Sequence, residues 1–391
     1  MAKKKTAVAG GGSADARLRE LDALFTGGGL QRGRHRKSAQ KGSGTAGGTE
    51  ISPLATSVKN GAGRPKQSAG KSKGATSKKT GAGKKVSAGS GIEILRVPEW
   101  QQYTWLVHGF STRTGGVSTV YRPGEPQRCG ELNLGFTATD AREHVVRNRE
   151  LFVQALLGEP RRGSSGAGRG KAGKMQLRLL RQIHSGLVHR AATGADVDAP
   201  LPGDGWIAAG PGALLGIQTA DCIPVLVADV RKRIVAAFHA GWRGTLARIV
   251  ERGVGRMRAE YGSQPSDLTA AIGPGIGACC FSVGEEVRME FRSQFSYADA
   301  LFQEVFDLDP IKEKYPMLFL TARAPGHSNL GPSLHLDLME ANRRQLLDAG
   351  LAPEKVHVLG LCTACDTGRF FSHRAEQGFT GRMLSAIGVR E

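Results

Sequence analysis

The chain has 391 residues, 40% of them hydrophobic, and a formal net charge of +19. Residues 1–90 hold 19 of the 54 Lys and Arg beside only four acids, so the basic charge belongs to the N-terminal part and the rest is close to neutral. The N-terminal segment contains no apolar run of signal-peptide length, and no segment approaches a membrane span. Six cysteines are also too few for a disulfide scaffold, and together these features favour a cytoplasmic protein.

Residues 1–91 are predicted to form a disordered basic tail. They are mainly Gly, Ala, Ser, Thr and Lys, and so few large apolar side chains cannot offset the entropy cost of ordering the backbone. The Lys runs are expected to contact nucleic acid or anionic surfaces non-specifically, because no aromatic side chains are interleaved with them for base stacking. A tail that only improves solubility is one alternative. A nucleic-acid- or ribosome-associated protein, in which the tail is the active part, is a non-enzymatic alternative.

Short apolar runs predict the strands of one domain over residues 92–391. Alternation of apolar and polar residues predicts the first strand, and continuous apolar runs bounded by turn residues predict buried ones. The predicted strands lie at 92–97, 107–112, 214–218, 223–228, 234–239, 269–272 and 356–361, the last as a final core strand. Residues 114–116 are expected to form a turn.

Helical periodicity predicts helices at 140–157, 243–261 and 335–349, with Asp140 as the N-cap of the first. The apolar stripe of that helix would consist of Val145, Val146, Leu151 and Phe152. Residues 161–174 have the composition of the tail and predict a flexible surface insertion. Because strands and helices do not alternate regularly, the sequence predicts the α+β (mixed α/β) class, with mixed sheets and helices outside them, rather than a doubly wound sheet.

His184, Cys222 and His239 each lie in an apolar, strand-like stretch and are candidate metal ligands. Two imidazole nitrogens and one thiolate make three protein ligands, the number with which catalytic zinc sites keep a fourth position open. Their separations of 38 and 17 residues fix no local geometry, so each could also be a buried core residue. Asp221, beside Cys222, is a candidate catalytic or positioning group. The ligand count predicts an enzyme.

Four further cysteines form two short patterns. Cys362 and Cys365 have CxxC spacing, whereas Cys279 and Cys280 are adjacent. No second CxxC lies nearby, and adjacent cysteines on a strand would point to opposite faces. Cys362 and Cys365 are therefore predicted to be buried packing thiols rather than a redox or zinc pair. Cys279 and Cys280 are predicted to be core or loop residues that do not both bind one metal.

Several motifs follow one another from about His108 to the C-terminus. They are HGFSTRTGGVS at 108–118, LNLG at 132–135, QIH at 182–184, TADCIPV at 219–225, HAGWRGT at 239–245, AIGPGIGACC at 271–280, LCTAC at 361–365 and FFSHR at 370–374. Together they resemble the laccase-domain family, described as multicopper polyphenol oxidoreductases and as broad-specificity purine nucleoside phosphorylases. The tail, the 161–174 insertion and His373, where many members carry Tyr, depart from the family pattern.

The resemblance implies a fold of two mixed β-sheets packed between outer helices. It implies one zinc or copper ion per chain, held by His184, Cys222 and His239. The implied activity is a metal-dependent phosphorolysis of adenosine, inosine and methylthioadenosine, with adenosine deaminase as a side activity and nucleoside and phosphate as the partners. Because phosphorolysis needs an anion pocket, Arg113, Arg243 and Arg374 are the candidate phosphate ligands.

Two other activities remain as alternatives. A copper-dependent polyphenol oxidoreductase is one, although several coppers need many His ligands and this chain has ten His and no HxH pair. The other is a Cys–His hydrolase. In it Cys222 would be the nucleophile, His239 its base, and His184 or Asp221 the orienting group.

Overall fold

A computed structural model describes residues 91–122, 130–158, 175–191, 200–306 and 332–391. These residues belong to one compact unit, Ala88–Glu391. The predicted basic tail up to residue 90 and the predicted insertion at 161–174 lie outside the described residues, as does Cys129. Within the described residues, no helix combines the length and the apolar character that a membrane crossing requires.

Two mixed β-sheets form the centre of the fold. The six-stranded sheet has the order β15 (Val356–Val358), β11 (Leu268–Ile272), β9 (Ile223–Asp229), β10 (Ile234–Ala240), β7 (Gly205–Ala209) and β6 (Val188–Arg190). The five-stranded sheet has the order β1 (Ile94–Leu95), β2 (Leu106–Ser111), β16 (Met383–Val389), β8 (Ala213–Thr219) and β5 (Gln176–Arg178). In each sheet the central pairs are antiparallel. Both edge strands of the six-stranded sheet, β15 and β6, are added in parallel, as is β5 at one edge of the five-stranded sheet.

Two smaller sheets, five α-helices and four short 3-10 helices complete the described structure. The small sheets consist of β12 (Ser282–Val283), β14 (Ser333–Leu336) and β13 (Phe302–Val305), and of β3 (Thr114–Gly116) with β4 (Gly130–Glu131). The α-helices are α1 (Arg142–Leu157), α2 (Trp242–Leu246), α3 (Ile249–Tyr261), α4 (Glu285–Gln294) and α5 (Leu338–Asp348).

The hydrophobic core lies in three layers because both large sheets are covered on both faces. Every residue of β9 and β10 is buried, as expected for continuous apolar runs. Side chains of the two sheets meet in one cluster that includes Trp100, Phe110 and Leu226. Helices α3, α4 and α5 cover the outer face of the six-stranded sheet, and α1 covers that of the five-stranded sheet. The predicted fold, two mixed sheets between outer helices, is confirmed.

Several predicted boundaries need correction. The predicted final core strand at 356–361 is a short edge strand, and Val358 is 40% exposed. The true last strand is β16, which is fully buried in the middle of the five-stranded sheet. The predicted turn at 114–116 is the short strand β3.

The predicted helices also differ in detail. The helix at 243–261 is two helices, α2 and α3, because Arg248 between them has a left-handed backbone with φ of 57°. The helix at 335–349 begins only at Leu338, since the preceding residues pair in β14. Asp140 does not cap α1; its carboxylate accepts hydrogen bonds from Ser118 and Asn133 instead. Val146 of the predicted apolar stripe is exposed.

A buried histidine makes the stability of this fold depend on pH. His108 lies in β2, and its Nε2 accepts a hydrogen bond from the Val97 N–H at 3.0 Å, which requires a neutral ring nitrogen. Burial, together with the nearby charge of Arg96, lowers the pKa of His108 to about 4. The unfolded chain, with a pKa near 6.5, binds this proton first as the pH falls. The contribution of His108 is therefore present above pH 6.5 and is lost as the pH falls toward 4.

We expect His108→Gln to remove this pH dependence, because the amide oxygen of Gln can accept the same hydrogen bond and does not titrate. Between pH 7 and pH 4.5 the free energy of unfolding of the wild type should fall by about 2–3 kcal/mol more than that of the variant. Urea unfolding at both pH values measures the difference. An identical fall in both proteins would contradict the assignment.

Candidate active site

Neighbouring strands bring two of the candidate ligands together. Cys222 immediately precedes β9, and His239 is the penultimate residue of β10. The antiparallel register pairs His239 with Pro224 and Ala240 with Ile223, which places Cys222 beside the end of β10. The spacing of 17 residues is thus the length of a hairpin.

The third candidate, His184, comes from a loop between β5 and β6 and has a left-handed backbone with φ of 60°. Its Nε2 lies 3.8 Å from Cys222 Sγ, and the His184 and His239 rings are 4.8 Å apart between centroids. One ligand atom from each of His184, Cys222 and His239 falls within 4.8 Å of the others. The structure therefore brings together the three residues that the sequence singled out.

Glycine is required where α2 begins next to these side chains. A Cβ on Gly241 would lie 2.9 Å from Cys222 Sγ and 3.2 Å from His184 Cδ2. Any side chain at this position would therefore push into the candidate ligands. This close approach explains the first glycine of the HAGWRGT motif.

A carboxylate that the sequence analysis missed, Asp204, organises the group. It is fully buried, and its Oδ1 accepts a hydrogen bond from His239 Nδ1 at 2.8 Å. It also accepts hydrogen bonds from the backbone N–H groups of His184 and Ser185 and from the Ser185 hydroxyl. With Nδ1 of His239 occupied, Nε2 is the atom left to bind a metal, which is the usual arrangement of a metal-ligating histidine.

The protonation states follow from these contacts. Burial alone would raise the pKa of the Cys222 thiol, but the charges and hydrogen bonds of His239 and His184 outweigh it and lower that pKa to about 6. Burial opposes the charge on His239, yet Cys222 and Asp204 raise the pKa of His239 to about 9. The hydrogen bonds from His239 and Ser185 overcome the effect of burial and hold the pKa of Asp204 below its usual value. The surroundings of Cys222 thus favour the thiolate, the form that binds metals.

Asp221 also lines the cavity of the candidate ligands, but its carboxylate is held by hydrogen bonds. Its carboxylate accepts hydrogen bonds from the Thr363 and Ser372 hydroxyls, both at 2.7 Å, and from the Arg374 N–H at 2.6 Å. Its backbone has a φ of 91°, a strained conformation for a residue other than glycine. With three donors on the carboxylate, the geometry disagrees with the predicted role of Asp221 as an orienting group for His239, and Asp204 occupies that position instead.

The three candidate ligands line a cavity of about 500 Å³. Four arginines lie around it: Arg181, Arg243, Arg374 and Arg382. Aromatic side chains also line it: Phe136, Trp242 and Phe281, together with the His373 ring. A cavity with both positive charge and flat apolar faces can accept a ligand that combines an anion with an aromatic ring.

The predicted arginines divide into two groups. Arg243 and Arg374 line the cavity, whereas Arg113 does not and is only 1% exposed. Arg113, just after β2, forms ion pairs with Glu131 of β4 and with Glu376 in the segment after β15, and so joins these parts of the chain. The predicted phosphate role of Arg113 is therefore wrong. Arg181 and Arg382 were missed, since no local motif distinguishes them from surface arginines.

Comparisons with known proteins agree with this picture. Residues 107–390 match the model of the family described as multi-copper polyphenol oxidoreductase laccase. Purine nucleoside phosphorylase YlmD of Bacillus subtilis (strain 168) is 31% identical over 303 residues, which cover 76% of this chain and 95% of that protein. Adenosine deaminase RL5 of an unknown prokaryotic organism is 32% identical over 216 residues, which cover 54% of this chain and 73% of that protein.

The fold is shared with a solved relative as well. The crystal structure of YlmD from Geobacillus stearothermophilus superimposes with a TM-score of 0.57 at 30% sequence identity, covering 77% of this chain and 97% of that chain. The family match spans most of the chain, from β2 to the last strand, and includes every candidate ligand. The chain therefore belongs to the multi-copper polyphenol oxidoreductase laccase family.

Proposed function

We propose that this protein is a metal-dependent purine nucleoside phosphorylase that acts on adenosine, inosine and methylthioadenosine, with adenosine deaminase as a side activity. The names of the relatives, a phosphorylase and a deaminase, support this choice. The observation that carries it is the convergence of His184, Cys222 and His239 at the wall of a cavity surrounded by four arginines. A cytoplasmic location stays a prediction.

Each side chain has a task in this proposal. His184, Cys222 and His239 hold one zinc or copper ion, for which two nitrogens and one sulfur are suitable donors. When bound, such an ion polarises an oxygen of phosphate or water. Arg243 and Arg374 attract and orient the phosphate, and the aromatic side chains of the cavity pack against the purine.

The two reactions of the proposal differ in the bond that breaks. In phosphorolysis the bond between C1′ of the ribose and N9 of the purine breaks, and a phosphate oxygen bonds to C1′. The base leaves with the proton that phosphate gives up. In deamination water attacks C6 of adenine, the C6–N bond breaks, and ammonia leaves. Only the first reaction consumes phosphate, which makes the two separable in one assay.

A multicopper oxidase is less compatible with the structure. Electron transfer to dioxygen through several coppers needs many imidazole ligands at close spacing. Among the described residues two groups of Cys, His or acidic side chains have metal-site spacing, and only the group with His184 contains imidazoles. The described part of the chain thus offers two imidazoles and one thiolate for one ion, not the ligand set of a copper cluster.

The first test removes one ligand. Purified wild type is incubated with adenosine with and without phosphate, and adenine, inosine and hypoxanthine are separated. We expect phosphate-dependent adenine and, at a lower rate, phosphate-independent inosine. Loss of an outer-shell partner alone costs ~10–100-fold, so His239→Ala should lose at least about 100-fold of both activities together with its metal.

His144→Ala is the matched control, because it also removes an imidazole but from the surface of α1. It should keep the activity and the metal content of the wild type. Unchanged phosphorolysis by metal-free His239→Ala would overturn the proposal.

Asp204→Asn tests the positioning of the ligands. The carboxylate of Asp204 has two accepting oxygens, whereas the amide of Asn has one. The His184 loop and the His239 ring would therefore lose part of the group that anchors both of them. We expect metal affinity to fall ~10–100-fold, measured by competition with a chelator, and activity to recover at high metal concentration. Asp229→Asn is the control. Asp229 is equally buried, but its carboxylate accepts hydrogen bonds from the backbone N–H groups of Arg231 and Lys232, in a turn that does not line the cavity. Equal metal affinity in Asp204→Asn and the wild type would contradict this role.

A Cys–His hydrolase is a second candidate, favoured by the placement of Asp204. Cys222, His239 and Asp204 follow one another as nucleophile, base and orienting carboxylate would. The sequence had assigned the orienting role to His184 or Asp221. In the structure His184 Nε2 also approaches the Cys222 sulfur, as a second imidazole ligand of a metal would.

Alkylation distinguishes the two candidates. A Cys222 sulfur bound to a metal should resist iodoacetamide until a chelator is added, and mapping of the peptides by mass spectrometry reads out the modified residue. Denatured protein gives the reference for full modification. Modification of Cys222 without chelator, with loss of activity and no loss of metal, would instead support the hydrolase.

A further inference from the structure

Four cysteines outside the cavity group meet at one point. Cys279 and Cys280 lie in a turn after β11, and Cys362 and Cys365 lie in a turn after β15. The four sulfurs are within 4.8 Å of one another. Buried packing is wrong for Cys365, which is exposed. Cys279 and Cys280 lie in a loop, one of the two predicted places, but in a turn their side chains need not point to opposite faces.

The spacing of the sulfurs suits one tetrahedral metal ion. Cys279 Sγ and Cys280 Sγ each lie 3.4 Å from Cys365 Sγ. Four thiolates at the usual Zn–S distance of about 2.3 Å would be separated by roughly 3.8 Å, a value between the shortest and the longest separations here. Because Cys365 is equally close to two partners, the arrangement converges on a centre and singles out no disulfide pair.

The surrounding backbone is adapted to these sulfurs. The Gly277 N–H donates a hydrogen bond to Cys362 Sγ at 3.2 Å, an interaction that stabilises a thiolate. A Cβ on Gly277 would lie 3.2 Å from Cys279 Sγ and 3.3 Å from Cys362 Cβ, so a side chain there would crowd the centre. From the third sheet, the His335 ring hydrogen-bonds to the Ala278 carbonyl at 2.6 Å and fixes the same turn.

We propose that Cys279, Cys280, Cys362 and Cys365 bind one zinc ion that fastens the loop after β11 to the loop after β15. All-thiolate tetrahedral coordination is typical of structural zinc, with no position left for substrate. The four cysteines share no ligand with the cavity group, so the proposal of this zinc site does not rest on the function proposed for the cavity.

The fastened loops are the ones that support Asp221. Gly275 and Cys362 pair as a parallel bridge, and the Thr363 N–H donates to the Gly275 carbonyl at 3.0 Å. From the first loop the Ile276 N–H donates to the Asp221 carbonyl, and from the second the Thr363 hydroxyl donates to the Asp221 carboxylate, both at 2.7 Å. The zinc therefore positions Asp221, the neighbour of Cys222, from both sides.

The decisive experiment compares metal loss in two cysteine variants. Full-length protein is purified with reductant and without chelator, and zinc per chain is measured by elemental analysis. Cys365→Ala should contain one zinc ion fewer than the wild type, whereas Cys222→Ser, the matched control from the cavity, should keep the thiolate-only ion. Cobalt substituted into Cys222→Ser should show intense sulfur-to-cobalt charge-transfer bands. An unchanged zinc content in Cys365→Ala would overturn the proposal.

A second measurement needs no variant and covers the case in which Cys365→Ala fails to fold. In the zinc-loaded wild type, iodoacetamide should leave all four cysteines unmodified, although two are exposed, and chelator should make them react together. The mass of the unreduced protein should show four free thiols in this group after metal removal. Immediate alkylation of the four, a disulfide between any two, or an iron–sulfur absorption spectrum would each reject the zinc site.

Discussion

The candidate active site depends on one buried carboxylate. Asp204 accepts hydrogen bonds from the loop that carries His184 and from the ring of His239 on β10, so one carboxylate joins the two segments that supply the imidazoles. Burying a carboxylate is costly unless its lone pairs are occupied, and here the donors occupy both oxygens. The His239 N–H also donates to the Asp204 carbonyl, so side chain and backbone act on the same pair of segments.

The hairpin of β9 and β10 supplies the rest of the geometry. Its register brings Cys222 next to Gly241, and the absence of a side chain at Gly241 lets the sulfur approach the two imidazoles. The cost appears at Asp221, whose left-handed backbone stores about 1–3 kcal/mol of strain. Three hydrogen bonds to its carboxylate offset this strain, and they come from the segments after β15. The position of Cys222 is thus determined by the β9–β10 hairpin and by the segment after β15 that binds Asp221.

Sequence patterns predicted those parts of the fold that rest on local apolar runs. The runs at 223–228 and 234–239 correspond to β9 and β10 within one residue at each end. Strand β16 escaped prediction because Ser385 and Gly388 interrupt its apolar run, and only its neighbours β2 and β8 explain why all seven residues are buried. Burial by distant strands cannot be seen in a local pattern.

In the candidate site, too, residues in local motifs could be predicted and residues defined by distant contacts could not. Motif-bearing residues such as His184, Cys222 and His239 could be singled out, whereas Asp204 could not, since an acid between two glycines is typical of a solvent-exposed turn. Its partner His239 is 35 residues away. For Arg113 the motif was misleading. It lies in a conspicuous motif, but it is paired with Glu376, 263 residues away, and has a structural role. Contacts of this range, not residue type, decide which charged side chain faces the cavity.

The two groups of candidate metal ligands differ in a way that suits different tasks. The cavity group combines one sulfur with two nitrogens, so a four-coordinate ion keeps one position for a substrate oxygen. The four-cysteine group has a sulfur for every position, and four thiolates leave the ion little ability to polarise a ligand. The four-cysteine group therefore suits a structural ion, and the group of His184, Cys222 and His239 suits a catalytic one. Asp221 is hydrogen-bonded to the loops that carry the four cysteines and is the neighbour of Cys222. A zinc ion bound by the four cysteines would therefore also restrain Cys222 in the cavity.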